Sequence, residues 1–377
     1  MNSEAERPEP KKREFFGSLE SLRGVAALIV VLYHLPNWYS PFHEVGIVRH
    51  GYLMVDFFFV LSGFVLQHSY VNRIRNTREL SDFIILRLGR LYPVHLVFLI
   101  IFFALELAKY FAGGTAGGDE LGDKPTLVAI MHAFGENLIL SHGLGLTDLT
   151  VYLNFPSWSI ATEFYTYLIF ATGVVLFAPR RFLAYAAAML AIGGSVLAFR
   201  GGDQTHHTQF PRCVTGFFLG CITNSVYLKL KDRRLKFDYA SVLLIGVLIA
   251  LSFAGPEWDV AHANHTGAGA VLPISALLVL SMTLAPNWGA NTLLESRPLR
   301  WLGEVSYSLY MSHALVFWVA RHAWPHIPGF SAQLNLASAS LVYSLTLAAV
   351  FAVAWLTNAT VENPGRRLAR ALVTKRQ

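Results

Sequence analysis

Polar and apolar residues are segregated along this chain into long blocks. Mainly apolar windows recur at 18–36, 52–70, 91–112, 157–178, 182–199, 211–228, 239–255, 267–285, 303–324 and 335–357, separated by charged or Gly- and Pro-containing stretches. An α-helix rises about 1.5 Å per residue, so about 20 apolar residues cross a hydrocarbon core of about 30 Å. The pattern therefore predicts an all-α, polytopic membrane bundle of about ten transmembrane helices. A further window, 126–142, carries His132, Glu136, Asn137 and His142 and is read as an interfacial or re-entrant helix.

Charge sets the direction of these crossings, because cytoplasmic loops are enriched in Lys and Arg. With the N-terminus in the cytoplasm and ten crossings, 23 of the 30 Lys and Arg fall on the inner side. Counting 126–142 as an extra crossing inverts every later loop and spoils this bias. Both termini are thus expected inside, giving a cytoplasmic tail over 1–17, a transmembrane domain over 18–363 and a basic cytoplasmic tail over 364–377. The first apolar window is longer than a signal-peptide core and lacks a small-x-small cleavage site, so it is expected to remain as the first crossing.

Composition agrees with this reading. With 54% hydrophobic and 14% charged residues and a mean hydropathy of +0.44, the chain is too apolar for an ordinary soluble domain. Its net charge of +6 belongs to short loops beside membrane ends, so no nucleic-acid partner is expected. Cys213 and Cys221 lie about 12 Å apart along one predicted helix, too far for a disulfide, and are expected as free thiols. His206, His207, His262 and His265 fall in predicted outer loops with no ligand set at helical spacing, so no metal is expected.

Four stretches bury ionisable residues, each of which costs roughly 2.5 to 3.5 kcal/mol at a bilayer centre and so marks pairing or function. In SLRGVAALIVVLYHL, Arg23 and His34 are eleven positions apart. They share one helix face and stand about 16 Å apart along its axis; snorkelling to opposite interfaces is the structural alternative. Asp56 in GYLMVDFFFVLSGFVL and Glu163 in PSWSIATEFYTYLIF fall near the depth of His34. A base held by a carboxylate is what general-base catalysis requires, the structural alternative being interhelical hydrogen bonds. His313, in EVSYSLYMSHALVFW, has Ser306, Ser308, Tyr310 and Ser312 nearby and reads first as a satisfied core histidine. Arg87 and Arg90 in RLGRLYP share a face at a cytoplasmic helix start. They suit either membrane anchoring or the phosphates of a cytoplasmic ligand.

In their order these strings resemble the acyltransferase 3 superfamily of membrane O-acyltransferases. Leu22-Arg23-Gly24 with His34, Val55 to Phe64, Arg87 to Pro93, Trp158 to Glu163, Ser306 to His313 and Glu362-Asn363-Pro364 match its motifs along nearly the whole chain. Glu20, Met54 and Met311 stand where Asp, Gly and Leu are frequent, and none of these departures removes an ionisable group. No hydrolase-like domain is expected after the last predicted crossing, unlike in some relatives.

The resemblance implies a multi-pass protein of a bacterial inner membrane with acyl-CoA, often acetyl-CoA, as cytoplasmic co-substrate. The acyl group passes to a hydroxyl of a glycan, lipid-linked sugar or small acceptor, commonly at the outer face. His34 is then expected as general base, oriented by Asp56 or Glu163, with Arg23, Arg87 and Arg90 at the donor phosphates. Ser62, Trp158, Ser159, Tyr310 and His313 are expected in substrate-contacting or structural polar roles. A proton-coupled solute transporter also uses intramembrane Arg, His, Asp and Glu, but no pair of Gly- or Pro-broken helices occupies matching halves of this sequence. A receptor or sensor would need neither the polar layer nor the basic helix start.

Overall fold

The computed structural model describes residues 16–113, 126–147, 153–199, 206–233, 245, 266–285, 289–327 and 334–376, and no strand occurs among them. In chain order its helices are α1 (Gly17–Tyr33), the short α2 (Ser40–His43) and α3 (Gly46–Arg49), α4 (Met54–Tyr70), α5 (Thr77–Phe111), α6 (Leu127–Leu138), α7 (Trp158–Phe199), α8 (His206–Leu230), α9 (Thr266–Leu284), α10 (Gly289–Leu294), α11 (Arg297–Ala323), α12 (Leu336–Thr357) and α13 (Asn363–Thr374). A π-helical turn, Asn358–Glu362, joins the last two. Six segments among the described residues are long and apolar enough to cross a membrane: Gly51–Tyr70, Thr77–Phe111, Phe155–Phe177, Arg181–Phe199, His207–Leu230 and Leu336–Thr374. The predicted window 239–255, the N-terminal basic residues and the loop histidines His262 and His265 lie outside the described residues.

Two of the expected spans, 157–178 and 182–199, are one helical run of 42 residues, about 63 Å if straight. It is folded back on itself. Tyr185 donates its hydroxyl to the Ile169 carbonyl at 2.9 Å, and the Phe177 and Tyr185 rings stack at 5.0 Å. Residues sixteen apart in a straight helix are about 24 Å apart, so the chain reverses between Phe177 and Arg181. The two spans survive as arms of a helical hairpin.

Glycines set the helix crossings, because close approach in hydrocarbon depends on small residues. α1 crosses α11 where a Cβ on Gly24 would lie 2.5 Å from the Gly303 nitrogen, and one on Gly303 would lie 2.4 Å from the Glu20 carbonyl oxygen. α4 crosses α8 where a Cβ on Gly63 would overlap the Phe217 carbonyl and one on Gly220 that of Val60. Asp56 meets Arg212 and Gln67 meets Ser225, so α4 and α8 run in the same direction. Leu272 packs beside Gly216, and Leu278, Val279 and Met282 cluster with Tyr227, so α9 runs parallel to α8 as well.

Three further elements lie toward the ends of the bundle. α5 has 35 residues, about 52 Å by rise, so its first turns extend beyond the apolar layer. α6 has 12 residues, about 18 Å, too short to cross. The segment 364–377, expected as a basic tail, is largely helical and packed: a Cβ on Gly89 would lie 2.2 Å from the Ala369 side chain, and one on Gly365 2.6 Å from the Pro93 ring. Arg376 reaches Asp82 at 3.5 Å, so α13 lies antiparallel along the start of α5. Cys213 and Cys221 are buried and unbridged.

Candidate active site

A cavity of about 520 Å³ lies among α1, α4, α5, α7, α11 and α13. On α4 its lining recurs at Val55, Phe58, Phe59, Ser62, Val65, Leu66 and Ser69, one face of the helix followed for about 21 Å of rise. One end is rich in cations, with Arg87 and Arg90 from α5, Arg366 and Arg370 from α13, and His68, Ser69 and Tyr70 from the end of α4, alongside Glu20 of α1. The other end is uncharged, lined by Ala27, Val55, Phe58, Phe59, Ser159, Ile160 and Tyr310. Between them lies a belt of Arg23, Ser62, Glu163, Tyr167 and Ser306. The three arginines expected at donor phosphates thus share one cavity.

Arg23 owes its position to the glycine crossing. Its guanidinium donates to Ser306 Oγ and to the Gly303 carbonyl, both at 2.9 Å, and pairs with Glu20 at 3.3 Å. A glycine at 303 lets α11 come close enough for that carbonyl to be reached. Arg87 donates to the Tyr70 hydroxyl at 2.9 Å and lies over the Tyr70 ring. Glu163 accepts from Ser62, whose Oγ also contacts the Tyr167 hydroxyl at 3.4 Å.

The same crossing explains the histidines. From Gly24 and Gly303, ten residues along parallel helices lead to His34 and His313, so both rings arrive at one level about 15 Å from the crossing. They stack, with centroids 5.1 Å apart and planes at 29°. His313 is buried and its ring nitrogens make no well-formed hydrogen bond. Among polar neighbours, then, the partner that sequence reasoning missed for His34 is another imidazole; the legible signal was equal spacing from two glycines.

Neither acid holds His34, which corrects the expectation for Asp56 and Glu163. His34 Nδ1 lies 3.0 Å from the Val30 carbonyl. A carbonyl only accepts, so the proton sits on Nδ1 and Nε2 carries the free lone pair. The helix backbone sets the tautomer that a carboxylate was expected to set. Asp56 instead accepts from Arg212 Nη2 at 2.8 Å and Nε at 3.2 Å, a buried bidentate pair over which Trp158 lies, its ring 5.8 Å from the guanidinium. Glu163 belongs to the belt at mid-cavity.

The cavity also stops short of the imidazoles. Tyr310 closes it, its hydroxyl accepting from Ser159 at 2.9 Å and its ring 5.9 Å from that of His313. On the far side, Phe155 meets the His34 ring edge-on at 5.2 Å. The turn bearing Phe155 is anchored by Ser157, which lies 2.9 Å from His142 Nε2 and donates to the Asn154 carbonyl at 2.7 Å. His142 stacks on His95 at 5.9 Å, and His95 reaches the Asn137 carbonyl of α6 at 2.9 Å. The short polar helix is thus tied to the turn beside His34. Among the described residues no group of three or more His, Cys, Asp or Glu is arranged to hold a metal ion.

A bundle of this kind, with a basic cavity leading toward paired imidazoles, fits a membrane-embedded transferase. The family model described as an acyltransferase domain matches residues 16–358, and the chain belongs to this acyltransferase 3 family; it is a multi-pass membrane O-acyltransferase. It is 29% identical over 376 residues to acyltransferase MdmB of Streptomyces mycarofaciens, covering 93% of this chain and 92% of that protein. It is 26% identical over 330 residues to the putative peptidoglycan O-acetyltransferase YrhL of Bacillus subtilis, covering 79% of this chain and 48% of that protein. With O-acetyltransferase OatA of Staphylococcus aureus it shares 25% identity over 326 residues, 79% of this chain and 50% of that one. The chain thus spans nearly all of the first of these relatives and about half the length of the other two. No solved structure matches it.

Proposed function

We propose that the protein moves an acyl group, acetyl in the simplest case, from cytoplasmic acyl-CoA to a hydroxyl of a carbohydrate or other small acceptor at the outer face. The topology in this reading has ten crossings with both termini inside, in a bacterial inner membrane. The observation that carries it is the polarity gradient of the cavity: an arginine-rich mouth, a belt and an uncharged end. A ligand with a multiply anionic head and a thin uncharged arm suits that shape, and a CoA thioester is such a ligand. The bias of Lys and Arg toward the mouth's side supports a cytoplasmic mouth. The O-acetyltransferase names of YrhL and OatA support acetyl transfer to a glycan-like hydroxyl.

In the proposed reaction the diphosphate rests on Arg87 and Arg90, Arg23 lies along the arm, and the thioester reaches Ser159 and Tyr310. Opening of the Ser159–Tyr310 hydrogen bond exposes the thioester to the imidazoles. His34 Nε2 takes the acceptor's hydroxyl proton while the oxygen attacks the thioester carbon. His313 donates to the carbonyl oxygen as negative charge develops there. The C–S bond breaks, and the CoA thiolate takes the proton from His34, so that one acceptor ester and one CoA thiol result. Asp56 acts at a distance, its ion pair with Arg212 holding Trp158 and the start of α7. Glu163, through Ser62 and Tyr167, shapes the belt.

The test uses purified full-length protein in nanodiscs with radiolabelled acetyl-CoA and a panel of hydroxylated acceptors. Acyl transfer with release of CoA, lost in His34→Ala while acetyl-CoA binding persists, is the expected result. Uptake into liposomes without transfer, or full activity in His34→Ala, overturns the proposal.

A further inference from the structure

α13 lies beyond the part of the chain matched by the family model, which ends at residue 358, yet it forms one wall of the cavity. Its sequence, NPGRRLARALVT, divides into three stripes, each repeating every four residues and so following one face. Gly365, Ala369 and Val373 make the packed stripe, the first two against α5. Leu368 and Leu372 are exposed, as befits a helix lying in a membrane interface. Arg366 and Arg370 face the cavity. A helix that merely anchored the chain would present its cations to the headgroups rather than to an internal space.

The two arginines differ. Arg366 pairs at 3.4 Å with Glu362, which is fully buried and also accepts from Ser308 at 2.7 Å. Arg366 is thereby held beside the arginines of the inner mouth. Arg370 lies one turn further out, is exposed, and has no ion pair or hydrogen bond among the described residues. Of the five cavity arginines it alone is exposed, at about the level of Arg87 on α5.

Resting on the reading of acyl-CoA as donor, we propose that Arg370 binds the 3′-phosphate on the ribose of CoA, with Arg366 behind it. In CoA the diphosphate joins directly to the pantetheine arm, so with the arm in the shaft the diphosphate lies at Arg87 and Arg90. The ribose phosphomonoester is the outermost anion of the ligand, and Arg370 is the one cavity arginine that is exposed. α13 is thus the part of the donor site that tells CoA from its dephosphorylated form.

The experiment measures binding of CoA and of 3′-dephospho-CoA to the full-length protein in nanodiscs by calorimetry, for wild type, Arg370→Ala and Arg87→Ala. A charge-assisted contact to a phosphomonoester gives about 10- to 100-fold preference for CoA in the wild type. Arg370→Ala is expected to bring CoA down to the affinity of dephospho-CoA and leave dephospho-CoA unchanged, while Arg87→Ala weakens both. Equal affinities in wild type, or equal losses for both ligands in Arg370→Ala, overturn the assignment of Arg370 but not the donor. Failure of wild type to bind either ligand overturns the donor itself and this inference with it.

Discussion

Replacing Gly303 by Ala probes the link between helix crossing and chemistry without touching a polar side chain. The new Cβ would lie 2.4 Å from the Glu20 carbonyl oxygen and 2.7 Å from its carbon, against 3.4–4 Å for ordinary contact. All the nearest atoms belong to α1, two of them backbone, so α1 and α11 must part by about 1 Å. Overpacking of this kind costs roughly 1–3 kcal/mol of stability. The larger effect is at a distance, because His34 and His313 are stacked across the same two helices and Arg23 bonds the Gly303 carbonyl directly. A misplacement of about 1 Å among reacting groups can lower the rate by about 100-fold. The assay is acetyl-CoA-dependent release of CoA thiol with an acceptor present, read beside thermal unfolding in nanodiscs. Gly194→Ala serves as control, since a Cβ there meets nothing within 4 Å. The expected result is a kcat lowered by about 100-fold in Gly303→Ala with the protein still folded, and no loss in Gly194→Ala. Gly303→Ala at wild-type kcat would refute the dependence of the imidazole pair on this crossing.

Other outcomes follow from the same geometry. Asp56→Asn or Arg212→Met alone breaks the buried ion pair and is expected to cost about 3–5 kcal/mol, whereas the joint change Asp56→Leu with Arg212→Met costs much less; unfolding midpoints of the four proteins check this. Arg23→Ala is expected to raise the Kd for acetyl-CoA by about tenfold, and an unchanged Kd counts against its place along the arm. Glu163→Gln keeps the hydrogen bond with Ser62 in reach and should retain folding, with a fall in donor affinity rather than in acceptor affinity, measured by varying each substrate in turn.

Much of this architecture was legible in the sequence, because apolar windows report which segments cross and helical periodicity reports which residues share a face. Arg23 lies on α1 and His34 caps that helix, and Arg23, Arg87 and Arg90 do line one cavity. Depth was less informative about neighbours. Asp56 and His34 fall near one level, yet Asp56 pairs with Arg212, 156 positions away, a cation that charge counting assigns to an outer helix end. What decides the partner is which helix faces which, set here by the contacts of Gly63 and Gly220 between α4 and α8. α13 was hidden for a related reason: five basic residues after Asn363 read equally well as membrane anchoring. Only its packing on Gly89 and Pro93 turns Arg366 and Arg370 toward the cavity.

The account depends on a thioester entering at the arginines and reaching the wall before the imidazoles. The most direct measurement is a cryo-EM structure of the full-length protein with a non-hydrolysable thioether analogue of acetyl-CoA. The account predicts phosphates at Arg87, Arg90 and Arg370, the arm along the Ser62 face of α4, and the acyl end against Tyr310 within a ring's width of His313. Nucleotide density elsewhere on the molecule, or an arm running away from Tyr310, would contradict it.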